Sequence, residues 1–397
     1  MKKSSNFARK SKEPLADLLQ QYSFLWESFD FYLILAFVLV CIYQLVFYIR
    51  LSRASRPSAP APIAPSEGVS VIVCARNEQV NLRDYLHALL TQDYPCFEVI
   101  VVDDGSEDAT SILLEQYARD WSNLYHTFVP RGARVISSKK LALTIGIKAA
   151  HYDYILLTDA DCRPESRYWI REMMSGFSDQ STELVLGFSP YFENDTILSS
   201  LISYDTLFIG LQYMALAKSG HPYMGVGRNM AYRKDMFFAH NGFQGLLNER
   251  AGDDDLFVNK VATRSNTRIV STRDSLIWSA PEQEWRPWFQ QKRRHLSVST
   301  HYKLSSKLRI GFEPFTRGLV YVLLIVAVIF GGGYAKCIAL GLWLLRLLWQ
   351  YVAINIAARR LGIRHFGIEM VLYDIFLPLL NLYMLISKHF RRKPIYW

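Results

Sequence analysis

The sequence predicts an α/β domain, a mainly parallel sheet flanked by helices, held between amino-terminal and carboxyl-terminal transmembrane helices. Three observations carry this expectation. Between residues 69 and 300, short apolar runs alternate with amphipathic stretches, the pattern of strands buried on both faces and of helices that cover them. Residues 31–49, FYLILAFVLVCIYQLVFYI, contain no charge, and at about 1.5 Å per residue they nearly span ~30 Å of hydrocarbon. Beyond residue 317 the chain turns apolar again, and its 397 residues leave room for a domain of about 250 residues beside such spans.

Taken in order, residues 1–30 form a basic amino-terminal segment with Lys2, Lys3, Arg9, Lys10 and Lys12. The span at 31–49 starts too far in, and lacks a following small-residue cleavage site, to be a signal peptide. Residues 50–68 are a Pro/Ala/Ser linker, and Arg50, Arg53 and Arg56 just after the span predict that this side is cytoplasmic. Strands are expected at 69–74, 98–102, near Tyr125 and at 154–158. Helices are expected at 79–92, with Leu82, Leu86, Leu89 and Leu90 on one face, near 107–120 and at 139–150. Right-handed crossovers then give a nucleotide-binding type of sheet, whose ligands sit at the carboxyl ends of its strands.

The catalytic domain closes near residue 300. Residues 301–317 read as an interfacial segment, 318–357 as a transmembrane hairpin turning at Gly331, Gly332 and Gly333, and 358–365 as a basic loop. Residues 366–387 are apolar but hold Glu369, Asp374 and Pro378, so they span or re-enter, before a basic tail at 388–397 with Arg391, Arg392 and Lys393. Three spans after a cytoplasmic domain would place that tail outside, against the positive-inside tendency, which favours two full spans and one re-entrant or interfacial segment. The net charge of +9 sits in clusters beside apolar runs, which fits an anionic membrane face and no nucleic-acid partner. Five cysteines without CxxC spacing argue against a zinc site or a disulfide framework.

Four polar clusters carry the chemistry. Asp103-Asp104-Gly105-Ser106 follows the second strand; Asp103 suits a base or ribose edge and Asp104 a ribose hydroxyl or a metal, while an Asx turn is the plain structural alternative. Asp159-Ala160-Asp161 ends another strand. Two unit charges ~4 Å apart repel by about 4 kcal/mol at an effective dielectric near 20. A divalent cation shared with a diphosphate would offset that repulsion, and a solvated acidic turn is the alternative. Gly252-Asp253-Asp254-Asp255 can cap a helix or supply a general base. In Gln290-Gln291-Lys292-Arg293-Arg294-His295, helical spacing puts Gln291, Arg294 and His295 on one face, suited to phosphate, while Lys292 and Arg293 also fit a basic membrane-proximal face. Lys139 at a helix start is either solvated or able to reach a phosphate, and Gly225, Gly227, Arg228 and Asn229 form a substrate-facing loop or a tight turn.

In this order, VSVIVCARNE, VIVVDDGSEDAT, KKLALTIGI, LLTDADCRP, GRNMAYRK, AGDDDLF and QKRRH resemble the motifs of processive and membrane-bound family 2 glycosyltransferases of the GT-A fold, across residues 69–297. The resemblance implies a UDP- or GDP-sugar donor, Mg²⁺ or Mn²⁺, inverting transfer, and a lipid-linked or glycan acceptor met at the cytoplasmic face of a bacterial-type inner membrane. It also implies site residues. Ala75, Glu78, Asp103 and Asp104 would line the nucleotide pocket with Lys139 and Asp159, and Asp159 with Asp161 would match the metal-binding DxD. Asp254 would be the catalytic base, with Asp253 the near alternative and Asp255 beside them. Gln291, Arg294 and His295 would match the QxxRW motif at the diphosphate and acceptor end. Here His295 replaces the tryptophan, which weakens processive polymerisation and favours a single transfer. A nucleotidyltransferase would lead with a Gly-rich basic loop where this chain has CARNEQ. A non-catalytic membrane-anchored scaffold would predict loss of the acidic pair or the base, and both are present.

Overall fold

The computed structural model describes residues 28–57, 67–130, 138–247, 249 and 251–390. Lys2, Lys3, Arg9, Lys10, Lys12, Arg391, Arg392 and Lys393 lie outside them, as does most of the linker at 50–68. The chain divides into two units, residues 50–309 with 353–397 and residues 1–49 with 310–352.

In the first unit a seven-stranded sheet runs in the order β3-β2-β1-β4-β7-β6-β8. Its parallel half joins β1 (Val69–Ala75), β2 (Phe97–Asp103), β3 (Leu124–Phe128) and β4 (Tyr154–Asp159). The apolar runs become strands because both faces are covered; Val69, Val71, Ile72, Val73, Val99 and Val101 are fully buried. Between the strands, α2 (Gln79–Leu90), α3 (Thr110–Asp120) and α4 (Ser138–Ala149) supply the cover, α2 turning in Leu82, Leu86, Leu89 and Leu90 as their spacing predicts. The helix expected from residue 107 starts at Thr110 instead. Asp108 accepts from the Thr110 backbone N–H (3.0 Å) and hydroxyl, and also from the Gln79 N–H (3.2 Å), so it holds a loop rather than a first turn.

The second half of this sheet has no counterpart in the expected elements. After β4 come a short ribbon strand β5 (Cys162–Pro164), α5 (Trp169–Ser175) and β6 (Leu184–Leu186), then α6 (Ile197–Lys218). Strand β7 (Met230–Arg233) runs antiparallel to both β4 and β6, and is followed by α7 (Lys234–Ala239) and α8 (Asp255–Val261). Strand β8 (Thr267–Ile269) lies parallel to β6, and β9 (Ile277–Ser279) pairs with β5 in a separate two-stranded ribbon. Strands this short give no periodicity to read. The unit ends with α9 (Trp285–Ser299), whose Pro287 sits in the first turn where a missing N–H does no harm.

Among the described residues four helices are long and apolar enough to cross a membrane: α1 (Phe29–Ala54), α10 (Leu304–Phe330), α11 (Gly333–Arg360) and α12 (Glu369–Phe390, apolar over Glu369–Ser387). In the second unit, Leu33, Phe37 and Cys41 of α1, each one turn from the next, pack with Val320 and Ala327 of α10 and Ala339 of α11. Several polar side chains between these apolar helices bind one another: Gln44 donates to the Thr316 hydroxyl (2.8 Å), Arg346 donates to Gln44 (3.1 Å) and to the Tyr48 hydroxyl (3.0 Å), and Arg317 forks onto Glu313 one turn back. Most of the segment read as interfacial, from Leu304, and the first arm of the hairpin form one continuous helix through Pro314. Helix α12 likewise continues through Pro378.

Candidate active site

The parallel register sets the site. Ala75 lies beside Asp103 and Cys74 beside Asp159, so the carboxyl ends of β1, β2 and β4 meet at one edge. At the β2 end Gly105 takes a left-handed φ of 71°, which turns the chain back. Both Asp103 oxygens serve that turn, one accepting from the Ser106 N–H (2.8 Å) and hydroxyl (2.7 Å), the other from the Ser111 hydroxyl (2.8 Å). The structural reading of this motif thus takes Asp103. Asp104, buried with its N–H donating to the Ala75 carbonyl (2.8 Å), is the acid of the pair with no side-chain partner among the described residues. Across the cleft mouth, Glu78 precedes α2 and accepts from Asn81 (2.6 Å); burial, and then the nearby Asp161 and Asp159, raise its carboxyl.

The two acids that end β4 are neutralised differently. Lys139, at the start of α4, binds Asp159 (2.9 Å) and approaches Asp253 (3.6 Å). Burial opposes the Asp159 charge, but Lys139, then Arg228 and Arg294, outweigh it and hold its carboxyl below the usual range. Burial also opposes the Lys139 charge, and Asp159 and Asp253 overcome it and raise the ammonium well above its ordinary value. Asp161 instead accepts from the Ser279 hydroxyl of β9 (2.8 Å), so the ribbon of β5 and β9 holds it in place.

The acid triplet enters over Gly252, whose φ is +82° and whose missing Cβ would lie 2.8 Å from Leu256 and Val298. From the residue after Lys139, the Lys140 ammonium is buried and donates to the carbonyls of Glu249 and Ala251, which pins the approach to the triplet. The three acids then part ways. Asp254 spends one oxygen on the Gly227 N–H (2.7 Å) and the other on the Asp255 N–H (2.8 Å), joining the loop that carries Arg228 to the start of α8. Asp255 accepts from the Tyr302 hydroxyl (2.7 Å), and burial with its acidic neighbours raises its carboxyl well above the usual range. Asp253 faces Lys139; burial, and then Asp254 and Asp159, raise its carboxyl as well.

Opposite stand the cations. Arg228 stacks on Tyr191 with its guanidinium carbon 4.4 Å from the ring centre. Beneath it, buried Asn229 donates to the carbonyls of Phe188 and Ser275 (2.8 Å each) and accepts from the Trp169 indole (3.0 Å). On α9, Gln291, Arg294 and His295 share the face expected of them. The His295 ring still meets solvent, yet its recess strips away much of its hydration, and Arg294, Arg228, Lys292 and Lys139 crowd it with positive charge; its pKa falls to about 3, which leaves a neutral imidazole. Lys292 is not on a membrane-facing basic surface. It is buried against Asp205 of α6 (2.6 Å) and fixes α9 to that helix.

The strand edge, with the residues that β1, β2, α4 and β4 bring to it, lies within a match to a known family. Residues 70–238 match Glycosyl transferase family 2. The chain carries a family 2 glycosyltransferase domain. Over 95 residues, 24% of this chain, it is 34% identical to a poly-β-1,6-N-acetyl-D-glucosamine synthase of Staphylococcus epidermidis. Over 278 residues, 66% of this chain, it is 26% identical to the probable glycosyltransferase YdaM of Bacillus subtilis (strain 168). The matches span 22% and 64% of the length of those two relatives. The fold of the glycosyltransferase is shared with a mannosyltransferase from Pyrobaculum calidifontis, solved in complex with GDP-Man and Mn²⁺, at a TM-score of 0.54 and 20% identity over 83% of this chain and 99% of that one. This is the GT-A fold that the ordered motifs imply.

Of the residues singled out from the sequence, Ala75, Glu78, Asp104, Lys139, Asp159, Asp161 and Asp253 lie at or beside this strand edge, and Gln291, Arg294 and His295 lie on one face of α9. Sequence reasoning missed the supports: Lys140, Ser279, Tyr302 and the Lys292–Asp205 pair. Nothing in their local sequence distinguishes them, because each acts through a partner on a distant element.

Proposed function

We propose that the glycosyltransferase moves a single sugar from a UDP- or GDP-sugar to a lipid-linked or glycan acceptor at the cytoplasmic face of the membrane, with inversion at the anomeric carbon. The observation that supports this most is the meeting, at one strand edge, of an acidic rim (Asp104, Glu78), an acidic pair (Asp159, Asp161) and facing cations (Lys139, Arg228, Arg294).

The donor atoms suit Mg²⁺ or Mn²⁺. They are carboxylate oxygens, the hard donors that such an ion takes beside substrate phosphate oxygens. Asp161 and Asp159 would hold it, and when bound it would offset charge on the leaving diphosphate. The other steps belong to side chains. Lys139 exchanges carboxylates for phosphate oxygens, and Arg228 and Arg294 neutralise the charge that grows as the bond from the anomeric carbon to the diphosphate oxygen breaks. Neutral His295 donates or accepts one hydrogen bond at the acceptor end, without the indole surface on which a growing polymer would stack.

For the general base the geometry favours Asp253 over Asp254. Asp254 holds two backbone N–H groups, whereas Asp253 faces the ion-paired centre of the cleft with a raised carboxyl, closer to the working pH of a base. Asp253 takes the acceptor hydroxyl proton as that oxygen bonds to the anomeric carbon from the face opposite the leaving diphosphate. The test is turnover of a panel of UDP- and GDP-sugars by the detergent-solubilised protein with Mn²⁺, Mg²⁺ or EDTA, beside Asp161→Asn and Asp253→Asn. Metal-dependent release of one nucleotide, lost in both variants, is expected. Absence of both turnover and nucleotide binding with native membrane lipids supplied would overturn the proposal.

A further inference from the structure

The face of α9 turned away from the cleft borders a second feature. A groove of ≈ 490 Å³ is lined by Trp285, Arg286, Phe289, Gln290 and Arg293. At 3.6 residues per turn these five fall on one side of the helix, roughly opposite Gln291, Arg294 and His295. Its wall is aromatic: Trp285, 44% exposed, lies against Phe289 with ring centres 6.1 Å apart, and both rest on buried Trp288. Its polar lining is cationic. Arg286 is exposed, and the Nε of half-buried Arg293 is sealed from solvent with no hydrogen-bond partner. A buried N–H without an acceptor is destabilising, and no carboxylate lines the groove to answer either guanidinium.

Aromatic rings beside arginines are the side chains that settle at headgroup level, where one end is apolar and the other meets phosphate. The chain position agrees: α9 ends at Ser299 and the apolar helix α10 begins at Leu304. We propose that this groove binds the phosphate headgroup of an anionic membrane phospholipid, with Arg286 and Arg293 on the phosphate and Trp285 and Phe289 against the glycerol and upper acyl carbons. The inference rests on the membrane placement in the proposed function, but not on the reaction. Because the groove faces away from Arg294 and His295, a phosphate held there is not the one that departs during transfer. Its occupancy would fix the register of α9, and so of the three cleft residues carried on the other side.

The experiment titrates the full detergent-solubilised chain with dihexanoyl phosphatidylglycerol or dihexanoyl phosphatidylcholine and measures binding by calorimetry. The anionic lipid is expected to bind roughly tenfold more tightly: both lipids offer the phosphate, but phosphatidylcholine also brings a fixed cation against two arginines that no lining carboxylate offsets. Arg286→Gln and Arg293→Gln should each erase that preference, while Arg293→Lys keeps part of it. Exposed Arg286 can be replaced without disturbing the fold, so its variant decides the matter even if Arg293→Gln proves unstable. Equal binding of both lipids, or an unchanged preference in Arg286→Gln, would overturn the proposal. So would tight binding of a long-chain polyprenyl phosphate at these residues without any for the phosphatidylglycerol, which would mark an acceptor site. Repeating the titration on Asp253→Asn separates this result from failure of the transferase reading, since lipid binding needs no turnover.

Discussion

The two halves of the central sheet are built by different physics. The parallel half, β1 to β4, is fixed by apolar runs that have no stable place except between two layers of helices. Its functional groups come free at the strand ends. The antiparallel half, with β6, β7, β8 and the loops that feed α8 and α9, has strands of three or four residues and is held by buried polar contacts instead. Asn229, Lys292, Asp254 and Tyr302 each bind a group far away in sequence. The parallel half is thus fixed by burial, whereas the antiparallel half is positioned by hydrogen bonds that single substitutions can cut.

The largest expected effect sharpens this contrast within three adjacent acids. Asp253→Asn should lower kcat by about 10²–10⁴-fold with donor binding retained. Asp254→Asn should instead show its main effect on stability, a loss of about 1 kcal/mol as the Gly227 and Asp255 contacts weaken. Since burial raises the Asp253 carboxyl, the acid limb of kcat/KM should lie above the ordinary carboxylate range, with activity falling as pH drops through it. Comparable losses of kcat in both variants would break the division of labour.

Next comes the pair that anchors α9. Lys292→Met leaves half-buried Asp205 without its cation and should destabilise the domain by about 1.5–3 kcal/mol, seen as a fall in Tm; adding Asp205→Asn should recover much of it. Asn229→Ala follows. It orphans two buried carbonyls and the Trp169 indole and should cost about 2 kcal/mol, with Arg228 displaced and the donor KM raised.

The smallest effect is a pH dependence. The folded protein raises the Asp255 carboxyl, so the stabilisation from its protonated form is complete below the unfolded pKa and is lost as pH rises through the folded value. Asp255→Asn, which mimics the protonated form and still accepts from Tyr302, should raise Tm at neutral pH and leave it nearly unchanged in acid. An equal gain at both would show that the charge of Asp255 is not what the fold resists.

By itself the sequence determined the four parallel strands, the three helices between them and the acids at the strand ends, because burial on both faces and helical spacing are local patterns. Its ordered motifs also pointed to the family whose model matches residues 70–238. Tertiary structure decided the rest. It assigned Asp103 to a turn and left Asp104 to the cleft, gave Asp159 to Lys139 and Asp161 to Ser279, and buried Lys292 where a basic surface was an equal expectation. It merged residues 304–330 into one helix across Pro314 and gave three identical neighbouring carboxylates different partners: Lys139 for Asp253, the Gly227 N–H for Asp254 and the Tyr302 hydroxyl for Asp255. The physical reason is common to all of these. An aspartate or a lysine carries the same charge wherever it stands, and what it does depends on which distant group the fold brings within about 3 Å of it.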